Sequence, residues 1–391
     1  MLVKLKDVCK IKPGYAFNSN DFGHGAAKCI KITNISFSIQ ETELINVEEN
    51  DKLKDFIVND GDIIMSMTSA TQIGKIGRLR KHTHTIYLNQ RLCKFEADET
   101  KINKDYLFFV LSQNNFNKFI HSSADSKSLQ QNISHYTIGE FTFELPNLKI
   151  QNKIAEILSN IDNQIERNNT MVKRLQDLAT STYSRWFNQF EFPNEDGLPY
   201  KSNNGEFVYN EELKKNIPIN WEVKKLGDIL KESDKSQIQV GEAKQNIGTY
   251  PFFTSGEEIV LYKDYFVSGA YCYLNTGGNA DVKFFDGKAS YSTDTWCTSF
   301  NEYTYIMNEY LQSIKPLMDK LFFSGSGLKH LQKEAFKKQK VLIPSEDIVF
   351  KYNDIVNDCH KQVSKIYMQN IELNNLKSKL LPLLINGQLE V

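Results

Sequence analysis

The chain repeats itself, and this limits its possible folds more than any other feature. The run Lys4-Leu-Lys-Asp-Val-Cys-Lys10 matches Lys225-Leu-Gly-Asp-Ile-Leu-Lys231. Further on, Ile133 falls on Leu331, Leu145-Pro146 on Ile343-Pro344, and Ile157-Leu158 on Ile355-Val356. Two copies of one plan therefore fill the chain, the second being shorter between these anchors. Each copy opens with strand-forming runs broken by Gly, Asn and Asp, such as Asp60-Gly-Asp-Ile-Ile-Met-Ser66 and Tyr265-Phe-Val-Ser-Gly-Ala-Tyr-Cys-Tyr-Leu274. A helical stretch follows, near Tyr106 to Ile120 and near Tyr310 to Phe323. Pro146 and Pro344 then close the globular parts, and a long helix ends each copy.

The long helices carry a 4-3 apolar spacing, which is the seam of a coiled coil. In the first copy the seam runs through Ile154, Leu158, Ile161, Ile165, Asn168, Val172, Leu175, Ala179 and Trp186. In the second it runs through Tyr352, Val356, Cys359, Val363, Ile366, Asn370, Leu373, Leu380 and Leu384. The first helix, from Gln151 to Phe187, would be roughly 55 Å long at 1.5 Å per residue. Pro382 is expected to kink or end the second. Each seam holds one Asn near its middle, a residue that costs stability but fixes register. If the helices lie antiparallel about a pseudo-dyad, Asn168 faces Asn370.

Composition narrows the function class. The chain has 391 residues, 40% hydrophobic and 24% charged, which is enough for two or three globular domains. No early apolar stretch with a cleavage site is seen, and no run approaches the ~18 apolar residues of a membrane span. The six cysteines are scattered without a C-x-x-C pair, which argues against a zinc site or disulfide framework and for a cytoplasmic location. A net charge of −1 gives nucleic-acid binding no bulk support. Distribution gives some: Asp62 to Lys94 holds six Lys or Arg against one acid, and Tyr310 to Lys340 holds seven Lys against two acids. Such runs attract phosphate or are ordinary solvated surface.

Several stretches, weak singly but specific in their order and duplication, resemble the specificity subunit of Type I restriction–modification systems. They are Asn59-Asp-Gly-Asp-Ile-Ile64, Leu145-Pro146, Gln151-Asn-Lys-Ile-Ala-Glu-Ile-Leu158 and Trp186-Phe-Asn-Gln-Phe-Glu-Phe-Pro193. Ile217-Pro-Ile-Asn-Trp-Glu222 leading into Lys225, Ser292-Thr-Asp-Thr-Trp296 and Leu381-Pro-Leu-Leu-Ile-Asn-Gly-Gln-Leu389 complete the set. The resemblance implies an α+β fold: two tandem target-recognition domains, β-rich with helices, separated by two long antiparallel coiled-coil helices in pseudo-two-fold arrangement. Residues 1–146 would form the first recognition domain and 147–190 the central spacer helix. Residues 191–344 would form a linker and the second domain, and 345–391 the distal spacer. It also implies double-stranded DNA, modification (methyltransferase) subunits, two in number, and restriction (endonuclease-translocase) subunits as partners, with no membrane and no cofactor of its own. The spacers would act as a ruler for a split, asymmetric target.

Base edges are read by side-chain donors and acceptors, and phosphates by Lys, Arg and small hydroxyls. In the first domain Ser66, Thr68, Ser69, Thr71, Gln72, Lys75 and Arg78 offer such groups on a Gly-hinged loop, followed by Asn89, Gln90 and Arg91. Ser126 to Gln130 reads as a phosphate-contacting turn through Lys127 and Gln130. In the second, Asn275, Thr276 and Asn279 form either a strand-linking turn or a DNA contact. Ser324, Ser326 and Lys329 correspond in position to the Lys127 loop. Ser292 to Trp296 is either a family segment at the DNA or a structural one, with Thr293 and Asp294 capping backbone and Trp296 filling core. Simple solvation is the alternative for each polar loop.

Catalysis finds little footing. Ser69 to Lys75 imitates a phosphate loop but lacks its first Gly and has Ile76 where Ser or Thr is required. No methyltransferase motif and no H-x-x-x-H pair is present, so no catalytic or metal-binding residue is expected. Two other function classes remain: a metal-dependent nuclease using Asp234, Glu242 and Lys244, and a DNA scaffold without sequence preference.

Overall fold

The computed structural model describes residues 1–69, 71–125 and 131–391. In chain order the first copy carries β1 (Leu2–Lys4), β2 (Cys9–Pro13), β3 (Phe22–Ile30), β4 (Ser38–Ile39), β5 (Ile45–Val47), β6 (Ile63–Ser66), β7 (Ile76–Leu79), β8 (Ile86–Leu88), β9 (Leu92–Ala97) and β10 (Thr142–Glu144). Its helices are α1 (Lys104–Leu111), α2 (Asn114–Ser123), α3 (His135–Gly139) and the long α4 (Leu148–Tyr183). A linker hairpin, β11 (Phe207–Asn210) and β12 (Lys215–Pro218), precedes the second copy. That copy has β13 (Glu222–Lys225), β14 (Lys231–Glu232), β15 (Tyr250–Phe253), β16 (Ile259–Tyr262), β17 (Val267–Asn275), β18 (Val282–Tyr291) and β19 (Thr295–Ser299), then β20 (Phe323–Ser324), β21 (His330–Leu331) and β22 (Lys340–Ile343). Its helices are α5 (Leu226–Ile229), α6 (Val240–Gln245), α7 (Thr304–Leu321), α8 (Lys333–Lys337) and α9 (Glu346–Ile385).

The chain divides into two compact units, Met1–Gln164 with Leu373–Val391, and Ile165–Glu372. The division cuts across both long helices, so each unit takes one globular part and a portion of α4 and α9.

The two units repeat one pairing scheme. In the first, β1 pairs with β10, β2 with β9, and β6 with both β7 and β9, all antiparallel, while β4 lies parallel to β7. In the second, β13 pairs with β22, β14 with β19, and β17 with both β18 and β19, all antiparallel, while β15 lies parallel to β18. The opening motif also recurs in detail: Asp7 accepts from the backbone N–H of Lys4 at 3.1 Å, and Asp228 from that of Lys225 at 3.0 Å. Capping of this kind satisfies a backbone donor left over at a helix start.

The core of the first unit packs Leu5, Ile63, Phe95, Tyr106, Phe116 and Ile138 against Ile154, Leu158, Leu384 and Ile385 of the long helices. That of the second packs Leu226, Trp296, Phe300, Met307 and Phe336 against Trp186, Phe187, Tyr352 and Val356. All six cysteines are buried and free. Burial pushes the Cys9 and Cys29 thiols up to about 12, which leaves them as packing groups rather than nucleophiles.

Three local expectations change. The helix expected from Tyr106 to Ile120 is two helices, broken where Ser112 donates its hydroxyl to the Phe108 carbonyl at 2.7 Å. The stretch near Tyr310 starts earlier, at Thr304, and runs through Pro316. Of the two outcomes expected at Pro382, the ending is not taken: α9 continues to Ile385. The proline forfeits one backbone bond, but Leu384 and Ile385 beyond it are 2% and 8% exposed in the first core, and their burial outweighs the loss.

In the second unit α4 and α9 lie antiparallel: Phe187, just past the end of α4, meets Tyr352 of α9 edge-on with ring centres 4.9 Å apart, and Asn168 donates to Asn370 at 2.8 Å. Asn370 in turn donates to Asn169 at 2.8 Å. In the first unit Lys377 of α9 meets Asp162 of α4 at 2.6 Å. Every seam position from Ile154 to Leu175 and from Val356 to Leu380 named above is buried or half-buried.

Candidate nucleic-acid interface

In the first unit the polar segments meet at the C-terminal end of β6. Gly74 donates to the Ser66 carbonyl at 2.9 Å and Ser66 to the Lys75 carbonyl at 3.0 Å, which closes the intervening loop at its base. Met67 then links three segments through its backbone, donating to Arg91 at 2.9 Å and accepting from Ile133 at 3.0 Å. Ser69 donates to the Gln131 carbonyl at 3.0 Å with φ of 95°, a strained value for a non-glycine residue that this latching sustains. Gly74, at φ 77°, supplies the other left-handed turn, where a methyl group would stand 3.1 Å from Ile120.

This arrangement sorts the candidates. Thr71, Lys75, Gln90 and Arg91 are exposed, and Lys75 and Arg91 form no ion pair among the described residues. Ser69 and Asn89 are half-buried, the latter accepting from the Arg91 N–H at 3.4 Å. Thr68 and Gln72 are half-buried, each with a buried oxygen lacking a partner among the described residues. Lys127 and Gln130 lie outside the described residues.

Two first-unit candidates are withdrawn. Ser66 is fully buried and donates its hydroxyl to the Thr68 carbonyl at 3.0 Å, so it braces the loop. Arg78 is 4% exposed, with its guanidinium 2.7 Å from the Asp105 carboxylate and 3.7 Å from the centre of the Phe108 ring. Burial holds its guanidinium down at about 10 even against the neighbouring Asp105.

The second unit builds the corresponding edge at the end of β17. Thr276 accepts from the Leu331 N–H at 3.0 Å, as Met67 does from Ile133. Gly278, at φ 80°, donates to the Lys329 carbonyl at 3.0 Å, drawing the 276–279 turn against the 324–330 loop. Asn279, Ser324, Ser326 and Lys329 are exposed there. Thr276 is half-buried and donates to the Asp294 carbonyl at 2.9 Å. Asn275 is withdrawn: it is 5% exposed, and its amide donates to Ser255 at 2.7 Å and to Asn279 at 3.2 Å. Ser292 to Trp296 takes its structural alternative, since Ser292 bonds Thr295 at 2.9 Å and the buried Trp296 indole donates to Glu232 at 2.8 Å.

Sequence reading missed Asn132 and His330. Isolated bridges pair Thr68 with Asn132 and Gly277 with His330, placing both exposed side chains beside the loops. Their sequence signal was the anchor Ile133–Leu331, which each directly precedes.

The basic runs are partly spent inside the protein. Lys94 is buried and donates to the Ile57 carbonyl at 2.7 Å. Lys315 pairs with Asp281 at 2.5 Å, Lys337 with Glu232 at 2.6 Å and Lys340 with Glu212 at 3.0 Å.

The nuclease reading gains no geometric support. Lys244 is paired with Glu258 at 2.7 Å, and the described residues contain no group of three or more His, Cys, Asp or Glu that could hold a metal. No helix of the described residues is long and apolar enough to cross a membrane.

Comparison with known proteins adds the following. Residues 1–174 and 218–374 match the family described as the Type I restriction modification DNA specificity domain. The Type I restriction enzyme MjaIX specificity subunit of Methanocaldococcus jannaschii is 25% identical over 312 residues, covering 73% of this chain and 69% of that protein. The MjaVIII specificity subunit of the same organism is 31% identical over 170 residues, covering 42% of this chain and 40% of that protein. The crystal structure of a Type-I restriction-modification system S subunit from M. genitalium superimposes with a TM-score of 0.63 at 15% identity, covering 98% of this chain and 96% of that one, a likeness of fold.

Proposed function

The chain belongs to the Type I restriction modification DNA specificity family, and from that premise we propose that it reads a split, asymmetric DNA target, each copy reading one half. As a specificity subunit it recognises DNA sequence and leaves catalysis to the partner methyltransferase and restriction subunits. Two modification subunits would bind it. Residues 1–146 and 191–344 serve as the recognition parts, with 147–190 and 345–391 as spacer helices that set the gap between half-sites.

The observation that supports this best is the recurrence, in both units, of a polar loop latched at the end of an equivalent central strand, β6 or β17. Two such edges differing in sequence are what an asymmetric target requires. Lys75, Arg91 and Lys329 suit phosphates. Thr71, Gln90, Asn279, Ser324 and Ser326 suit base edges, with Asn132 and His330 beside them. Lys127 and Gln130 remain candidates on sequence grounds.

The test is to co-express the chain with its methyltransferase partner and map methylated positions by single-molecule sequencing. A two-part motif with a fixed gap is expected, and a deletion in α4 should change that gap. A continuous motif, or no sequence preference, refutes the proposal.

A further inference from the structure

We infer that Arg78 and Lys377 are positioning residues for base reading, two cations stacked through a pair of rings that lock the root of the first reading loop onto the helix pair. This rests on the split-target reading above. The stack runs through the first unit without a break. Arg78 sits on β7, immediately after the loop that ends at Lys75, and its guanidinium donates to both the Asp105 carboxylate, at 2.7 Å, and the Asp105 carbonyl, at 3.2 Å. The same guanidinium lies 3.7 Å from the centre of the Phe108 ring. Phe108 meets Phe37 edge-on with ring centres 5.0 Å apart, and the Lys377 ammonium sits 3.8 Å from the Phe37 ring centre. Lys377 ends the series on Asp162 of α4 at 2.6 Å. A backbone bond from the Arg78 N–H to the Phe37 carbonyl, 3.2 Å, closes the joint.

A joint of this composition is poor value as a source of stability. Buried ion pairs roughly cancel against their own desolvation, and apolar side chains of similar volume do as well or better. Here burial lifts the Asp162 carboxyl and depresses the Lys377 ammonium despite their contact, so desolvation is the larger effect on each. What charge and rings supply that aliphatic packing does not is direction. A bidentate guanidinium fixes an orientation and an ammonium centred on a ring fixes a position, whereas aliphatic contacts slide. At the position aligned with Asp162 the second unit places a ring rather than an acid–lysine pair: His360 stacks on Tyr305 with ring centres 5.3 Å apart and lies 4.8 Å from the Phe284 ring. There His360 of α9 faces Glu309 at 3.5 Å, and Thr180 donates to Glu309 at 2.8 Å.

The test uses the assembled methyltransferase complex and a panel of targets whose gap is the native one, one base pair longer, or one base pair shorter. The native chain should methylate only the native gap. The double variant Asp162→Leu with Lys377→Met removes both charges of that pair together. It should still methylate the native target, while its discrimination against the altered gaps falls by about tenfold. Lys377→Arg should retain discrimination. Phe37→Leu, at a side chain already 43% exposed, cuts the stack without touching a charge and should relax the gap even if the double variant fails to fold. An unchanged gap profile in Phe37→Leu, or in a folded double variant, overturns the inference. If the native chain itself showed no split motif, the split-target reading would fail instead.

Discussion

Replacing Asn168 by Leu tests the polar layer of the seam. Asn168 is 7% exposed and donates to Asn370 at 2.8 Å, and Asn370 donates in turn to Asn169. The change removes the hydrogen bond to Asn370, worth about 1 kcal/mol net, and leaves the Asn370 carbonyl oxygen without that donor. Because Asn370 is half-buried and keeps its bond to Asn169, the orphan costs toward the low end of the usual range, about 1 kcal/mol. The new leucine offsets part of this by burying apolar surface. A net destabilisation of about 1–2 kcal/mol follows for Asn168→Leu, and at least as much for Asn370→Leu, which takes the acceptor from the buried Asn168 amide and the donor from Asn169. The paired variant leaves neither amide facing a leucine and gains a Leu–Leu contact, while the exposed Asn169 turns to water, so it should come close to or exceed the native chain. The cycle then gives a coupling of at least about 1 kcal/mol. Urea unfolding of the purified chain, followed by the helical signal, measures all four proteins on one scale. If the paired variant lost the sum of the two single losses, the two amides would not be acting as one layer.

Two further outcomes follow from the interface and from the second unit's buried pair. Lys75→Ala and Arg91→Ala should each weaken DNA binding about equally for all sequences and lower the slope of log affinity against log salt by about 1; an unchanged slope would remove that residue from the phosphates. Burial holds the His360 imidazole down at about 4 from its ordinary 6.5. Between those values the unfolded chain binds a proton that the folded chain refuses, so this group withdraws stability as pH falls from 6.5 to 4. Glu309, pushed up by burial, acts in the opposite sense. His360→Asn should therefore gain on the native chain by up to about 1.4 kcal/mol per pH unit over that window, and a constant difference in stability would contradict this.

The sequence repeat was legible because its anchors are core residues. Leu5 and Leu226 are fully buried, and Ile133 and Leu331 are 7% and 8% exposed, so burial restricts both copies to similar side chains. The seams were legible from spacing for the same reason. The role of Arg78 was not. A cation following Ile76-Gly77 in a polar neighbourhood looks solvent-facing, and its partner Asp105 lies on a helix far along the chain. Ser66 and Asn275 misled similarly: each stands at a strand end among turn-forming residues, where only the tertiary structure decides between bracing the turn and facing solvent. Pro382 shows the converse, a strong local signal overridden by the burial of the residues that follow it.

The loops at the two proposed reading edges are fastened by main-chain atoms, at Met67 and Ile133 in one and Thr276 and Leu331 in the other. Every residue type except proline brings the same N–H, and all bring the same carbonyl. The fastening is therefore indifferent to which side chains stand at the tips, and on the proposed reading natural variation can redraw the letters recognised while leaving the frame that presents them undisturbed.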